Sequence, residues 1–149
     1  MRIFVAALLA LGAPALGADV KTQMKDFDLI GTWSPDCGKD VLERTGRRAV
    51  FATPREGAPT ATFREGDDGV LMTAVHEIVE PIVADGDKIS IAFHPMTITR
   101  SDGKAAPQSA YTNYRMVFQK AGAKIKVIGI QFEGLPNVER EIFLEKCPN

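Results

Sequence analysis

Apolar and polar residues alternate with a two-residue period along most of this chain. Ile89, Ile91 and Phe93 alternate with Lys88, Ser90 and Ala92, and Tyr114, Met116 and Phe118 alternate with Arg115, Val117 and Gln119. Val138, Arg140, Ile142 and Leu144 alternate with Glu139, Glu141, Phe143 and Glu145. Such a period puts one set of side chains on each face of a strand. Further strands are expected over 30–34, 47–53, 60–65, 70–83 and 96–100. Ile125 and Val127 share one parity, whereas Ile128, Ile130 and Phe132 share the other. A parity switch beside Gly129 marks a bulge, the device by which barrels bend. His94-Pro95 is expected to mark a bend between two strands, because proline cannot donate to a ladder.

Turn signals separate these segments: Asp67-Asp68-Gly69, Asp85-Gly86-Asp87, Ser101-Asp102-Gly103 and Ala121-Gly122-Ala123. Such pairs supply the positive φ that tight hairpins need. About eight or nine strands joined by short turns make an antiparallel meander, and a single meander of this size must close to bury its inner face. The expected fold is therefore all-β: an up-and-down barrel, with residues 20–29 as its one short helix.

The N-terminus breaks the alternation. Met1-Arg2 precedes an uncharged run from Ile3 to Leu11, then Gly12-Ala13-Pro14-Ala15-Leu16-Gly17-Ala18. One positive charge, an apolar run and a stretch of small residues with a proline make a signal peptide. The run is shorter than the roughly 20 residues a membrane helix needs, so no membrane anchor is expected. Cleavage is expected after Ala18, with Ala15 and Gly17 as alternatives, leaving one domain over 19–149. That places the protein in the periplasm or outside the cell. Removing Arg2 leaves 17 basic and 19 acidic residues from the 18 and 19 of the full chain, a net charge of −2. So balanced a surface gives no footprint for nucleic acid. The clusters Arg44/Arg47/Arg48 and Lys120/Lys124/Lys126 read as solvated loop and hairpin charges.

Export changes the meaning of the two cysteines, Cys37 and Cys147. In an oxidising compartment, with no histidine near either, one disulfide joining the two ends of the domain is the economical reading.

Gly31-Thr32-Trp33 opens the first expected strand. A Gly-x-Trp in that place resembles the calycin group, which includes lipocalins and avidins. The run Gly31-Thr32-Trp33-x-x-Asp36-Cys37 with a terminal Cys147 also resembles a set of small exported bacterial proteins that open and close in this way. The calycin resemblance implies that Trp33 closes one barrel end under a basic residue of the last strand. Arg140 fits, since it shares a face with Val138, Ile142 and Leu144 and would gain a cation–π partner; Lys146 is the substitute if the register differs. The alternative is a plain core tryptophan and a rim arginine. Trp33 near Arg140 would leave Cys37 far from Cys147, unless the first strand stops at Pro35 and turns back or the closing strands run parallel. An avidin-type pocket is not expected, because Trp33 is the chain's single tryptophan.

Little points to catalysis. His76-Glu77-Ile78-Val79-Glu80 lacks the second histidine of a metalloprotease helix and reads as a strand, where His76 and Glu80 would stand about 13 Å apart. His94 is isolated before Pro95. There is no Gly-x-Ser-x-Gly elbow and no calcium-loop ligand run. The expectation is a non-enzymatic, monomeric binding domain without cofactor or metal, taking a small apolar ligand into the barrel. Candidate lining residues are His76, Phe93, Tyr114, Met116, Phe118 and Phe132. Met72, Phe93, Phe118 and Phe132 could instead fill the lumen, whereas inward-facing Ala74, Ala92 and Gly129 would leave space. Entry is expected at the end away from Trp33. The alternative is a protein-interaction module, such as an exported protease inhibitor or envelope-stress factor, engaging an extracytoplasmic protein.

Overall fold

Each alternating segment forms a strand, and the turn signals fall between them. The computed structural model describes residues 19–148, so the signal peptide expected over 1–18 lies outside the described residues. A helix α1 (Val20–Asp26) precedes β1 (Gly31–Ser34), β2 (Arg47–Ala52), β3 (Thr60–Asp67) and β4 (Val70–Asp85). There follow β5 (Lys88–Arg100), a 3-10 turn (Gln108–Tyr111), β6 (Tyr114–Ala121), β7 (Lys124–Phe132) and β8 (Val138–Lys146). The strands pair in sequence order into a closed antiparallel barrel, β1 meeting β8. This is the up-and-down barrel that the alternation implies, and it is compatible with a calycin-like fold.

The register sorts the side chains. Phe51 pairs with Ala61, Ala61 with His76, Ile78 with Phe93, Phe93 with Tyr114 and Phe118 with Val127, all on the inner face. The parity switch in β7 is a bulge: Phe118 pairs with Val127 but Val117 with Gly129, so Ile128 is the extra residue. Gly129 therefore shares the outer face with Val117, and Ile130 and Phe132 turn inward with Met116 and Tyr114.

His94-Pro95 does not separate two strands. β5 runs through it, pairing Glu77 with His94 and His76 with Pro95, then shifting register so that Val75 meets Thr97. The proline is tolerated because β5 leaves β6 at Phe93 and from there is paired with β4 alone.

One end of the barrel is plugged by α1. Asp19 caps the helix, its carboxylate accepting from the Thr22 N–H at 2.9 Å. Val20, Met24 and Phe27, spaced as one helical face, are buried in the core cluster with Leu29, Trp33, Ile89 and Ile125. At this end Lys120 lies 5.0 Å over the Phe27 ring and Lys21 donates to the Pro54 carbonyl.

The barrel closes through a short seam. Only Trp33 and Ser34 of β1 pair with β8, opposite Lys146 and Glu145, and the Cys147 N–H donates to the Thr32 carbonyl. The chain then turns back at Pro35. Ser34 Oγ lies 2.8 Å from the carbonyl oxygens of both Asp36 and Arg47, and it accepts from the Asp36 N–H. The turn brings Cys37 to Cys147, and the two form a disulfide with Cα atoms 5.4 Å apart. Of the two ways to reconcile the cysteines, the early stop of the first strand is the one the chain uses.

The same register corrects the expected Trp33–Arg140 contact. The cation over the Trp33 ring is Lys146, with Nζ 5.4 Å from the centroid, because Lys146 stands directly opposite Trp33. Arg140 is six positions away along β8, about 20 Å of extended chain. Lys146 Nζ is also 2.7 Å from Asp28 Oδ1. Its stem crosses Gly31, where a Cβ would come within 2.9 Å of Lys146 Cε and where φ is +132°. That accounts for the glycine of the Gly-Thr-Trp run: a side chain there would displace the lysine that covers the indole.

Two outcomes test the seam. Native protein should show no alkylatable thiol, and Cys147→Ser should lower unfolding free energy by about 2–5 kcal/mol. Lys146→Ala should shift Trp33 emission, whereas Arg140→Ala should leave emission unchanged and stability within about 0.5 kcal/mol.

Candidate functional site

The interior is filled on one side and hollow on the other. On the filled side stand Phe51, Phe63, His76, Phe93, Tyr114 and Phe118. Phe51 meets Phe118 edge-on at 5.7 Å, Phe63 meets His76 at 5.3 Å, and Phe93 stacks on Tyr114 at 5.1 Å. Phe132 continues the cluster, 5.5 Å from Tyr114. Such edge-to-face and offset pairs fill space in fixed geometry.

On the other side, between β2–β3 and β6–β8, lies a cavity of about 260 Å³. Its walls are graded by depth. Trp33, Ala49, Phe118, Val127 and Leu144 are buried and form the floor. Phe63, Met116, Ile130 and Ile142 are half-buried and form the wall, and the exposed Arg47 and Arg140 stand at the rim with Glu65 and Pro35; Arg48 and Arg64, which also border the cavity, pair with each other on the outer face of the β2–β3 ladder. The β1–β8 ladder ends at Ser34, and the cavity occupies the space that a longer β1 would fill. Its mouth lies opposite the Trp33 floor.

Of the six candidate lining residues, Met116 and Phe118 border this cavity. His76, Phe93, Tyr114 and Phe132 belong to the aromatic filling beside it; Phe93, Tyr114 and Phe132 also border a more open hollow of about 510 Å³ with Leu135. Ala74 faces inward as considered, but Ala92 pairs with Val79 on the outer face. Space at the floor comes instead from Ala49, on the inner face of β2 beside Trp33. Sequence reading passed over Ala49, Arg64, Ile142 and Leu144, and took Arg47 and Arg48 for loop charges. A signal was present for Ala49: a small residue between the apolar Val50 and Phe51 and the arginines of a short strand.

The rim cations differ in how they are held. Arg47 is paired with Glu65 at 2.8 Å. Arg48 is bound to carbonyl groups: Nη2 donates to Cys37 and Lys39, and Nη1 to Asp36, Arg47 and the Ser34 hydroxyl. It thereby fixes the 35–46 loop. The same loop lies so close to β3 that a Cβ on Gly66 would fall within 1.9 Å of the Val41 carbonyl oxygen, so only glycine fits there.

His76 is 4% exposed; its Nε2 lies 3.2 Å from the Tyr114 hydroxyl, and its Nδ1 has no hydrogen-bond partner. Burial lowers its pKa below the ordinary 6.5, opposed in part by backbone groups of Ala74 and Ala61. Burial also pushes the Tyr114 hydroxyl pKa upward. The pair is therefore neutral at pH 7, a polar contact inside an aromatic cluster. Among the described residues no three His, Cys, Asp or Glu side chains converge to hold a metal.

A histidine whose folded pKa lies below its unfolded one binds fewer protons when folded. Its contribution to stability is whole above about pH 6.5 and is lost progressively as pH falls below that value. Denaturation midpoints between about pH 7.5 and pH 5 should therefore drop on acidification, and His76→Phe should flatten that drop. An identical pH profile in His76→Phe would show that the acid sensitivity lies elsewhere. No family model, curated protein or solved structure matches the chain.

Proposed function

We propose that this chain is an exported, non-enzymatic and monomeric binding domain that takes a small apolar ligand into its barrel. The observation that carries this reading is the graded cavity: a floor of buried apolar side chains beneath an open, polar rim. Ligand sites usually combine apolar walls with a few placed polar groups. At about 260 Å³ the space suits a small molecule rather than a long or branched lipid. Trp33 at the floor would report occupancy directly. The signal-peptide pattern at residues 1–18, the disulfide and the calycin-like opening favour an extracytoplasmic, lipocalin-like carrier. Among the described residues no helix is long and apolar enough to cross a membrane.

The interaction-module reading has one observation of its own. Leu135, Val138 and Phe143 are exposed along β8 and the loop before it, Leu135 at 59%. Against it, β8 carries Glu139, Arg140 and Glu141 and a register shift against β7 in this stretch, features that discourage strand addition from outside.

Titration with neutral apolar probes, decanol and a solvatochromic dye, should change Trp33 emission and raise the thermal midpoint. A ligand at 100 times its dissociation constant adds about 2.7 kcal/mol. Ala49→Leu, which fills the floor, should abolish both effects while the domain stays folded. No response from any probe would remove the carrier reading and leave the interaction module in its place.

A further inference from the structure

We propose that His76 is a proton-operated gate on the cavity: once its imidazole takes up a proton, the Phe63 ring swings out of the aromatic cluster into the cavity and the ligand leaves. The proposal rests on the carrier reading and adds to it a means of release.

Phe63 belongs to both halves of the interior. Its ring meets the His76 imidazole edge-on at 5.3 Å and the Phe93 ring at 5.7 Å, yet it also borders the cavity. It is the partition between the buried histidine and the hollow side. Its neighbours leave it room to move. Across the ladders Phe63 stands opposite Ala49 on β2 and Ala74 on β4, so a methyl group flanks it on either side. Ala49 is part of the cavity floor, and a ring turning over it enters the space the ligand would fill.

The imidazole behind the partition supplies the force. His76 sits among the rings of Phe63, Phe93 and Tyr114, with centroids 5.3, 6.1 and 5.3 Å away. Its Nδ1 has no hydrogen-bond partner, and its Nε2 has the Tyr114 hydroxyl alone. Protonated, the ring carries two N–H donors and a positive charge, and the Tyr114 oxygen can accept from one of them. The other donor and the charge cost free energy until water or a counter-charge reaches them.

No counter-charge faces the ring among the described residues. β3 brings Ala61 and Phe63, and Glu65 beyond them is held by Arg47 at 2.8 Å. β5 brings Phe93 and Pro95, while His94 acts on the ring as a like charge. Glu77 of β4 points to the other face, opposite His94. Tyr114 of β6 is kept protonated by its own burial, and the backbone of Ala61 and Ala74 offsets only part of the cost. Water is the remaining partner, and the cavity is open to it once Phe63 has turned. Proton and ligand therefore exclude one another, each favouring a different place for one ring.

The test titrates the mature domain with decanol by calorimetry between about pH 8 and pH 5, wherever circular dichroism shows it folded. Affinity should hold steady above about pH 6.5 and fall below it, by at most about tenfold per pH unit because one proton is taken up. His76→Phe should keep the neutral-pH affinity and lose the acid limb. Linkage is reciprocal, so saturating decanol should move the His76 imidazole titration to lower pH, followed by NMR in the unaltered chain with the His94 signals as reference. That second reading stands even if the variant does not fold. Decanol affinity independent of pH, an acid limb that survives in His76→Phe, or a His76 titration indifferent to decanol would overturn the gate and leave the apolar site standing. No decanol binding at neutral pH would overturn the carrier reading and the gate together.

Discussion

The barrel depends on a closing seam only two residue pairs long. A meander of eight strands must still join its first strand to its last, and here the first strand supplies just Trp33 and Ser34 for that purpose. Three other interactions make so short a seam sufficient. The disulfide ties Cys37 to Cys147. The Cys37 N–H donates to the Glu145 carboxylate at 3.0 Å. Lys146 binds Asp28 while covering the indole. The indole in turn donates from Nε1 to the Leu29 carbonyl at 2.7 Å, coupling the seam to the segment that follows the helical plug.

The shortness of the seam is also what leaves room inside. Had β1 continued beyond Ser34, its next residue would lie between Arg47 of β2 and Leu144 of β8, both of which border the cavity. Closure and vacancy are therefore one design: the α1 end is sealed by Met24, Phe27 and Leu29, and the opposite end is left unsealed on the β1–β8 side. The aromatic cluster around Phe93 keeps the remaining half rigid. Its buried His76–Tyr114 contact is neutral at pH 7, so it does not compete with the charges at the rim.

Much of this was legible in the chain. Alternation located the strands, the parity change at Ile128 located the bulge, and two cysteines behind a signal-peptide pattern implied the bridge. What could not be read was register, because a strand's alternation fixes which residues share a face but not which residue of the neighbour stands opposite. Arg140 and Lys146 share a parity on β8, so pattern alone could not choose between them as the partner of Trp33. Registers of β2 against β3 likewise bring Arg48 beside Arg64, and no property of either segment taken singly reveals that pairing. Pro95 was misjudged for a related reason: a break in hydrogen-bonding capacity was read as a break in the strand, whereas β5 had already parted from β6 at that point.

The seam also joins the two ends of the described residues, Lys146 to Asp28 across 118 positions and Cys147 to Thr32. Hairpins such as β2–β3 and β6–β7 can pair as soon as their own residues exist, but β1 has no β8 to meet until β8 itself has been made. Throughout that interval Trp33, the anchor of the closed end, faces solvent without its lysine. Chain order makes this closure the contact with the largest loop-closure cost in the barrel, and the Cys37–Cys147 bridge lowers that cost by holding the two ends together.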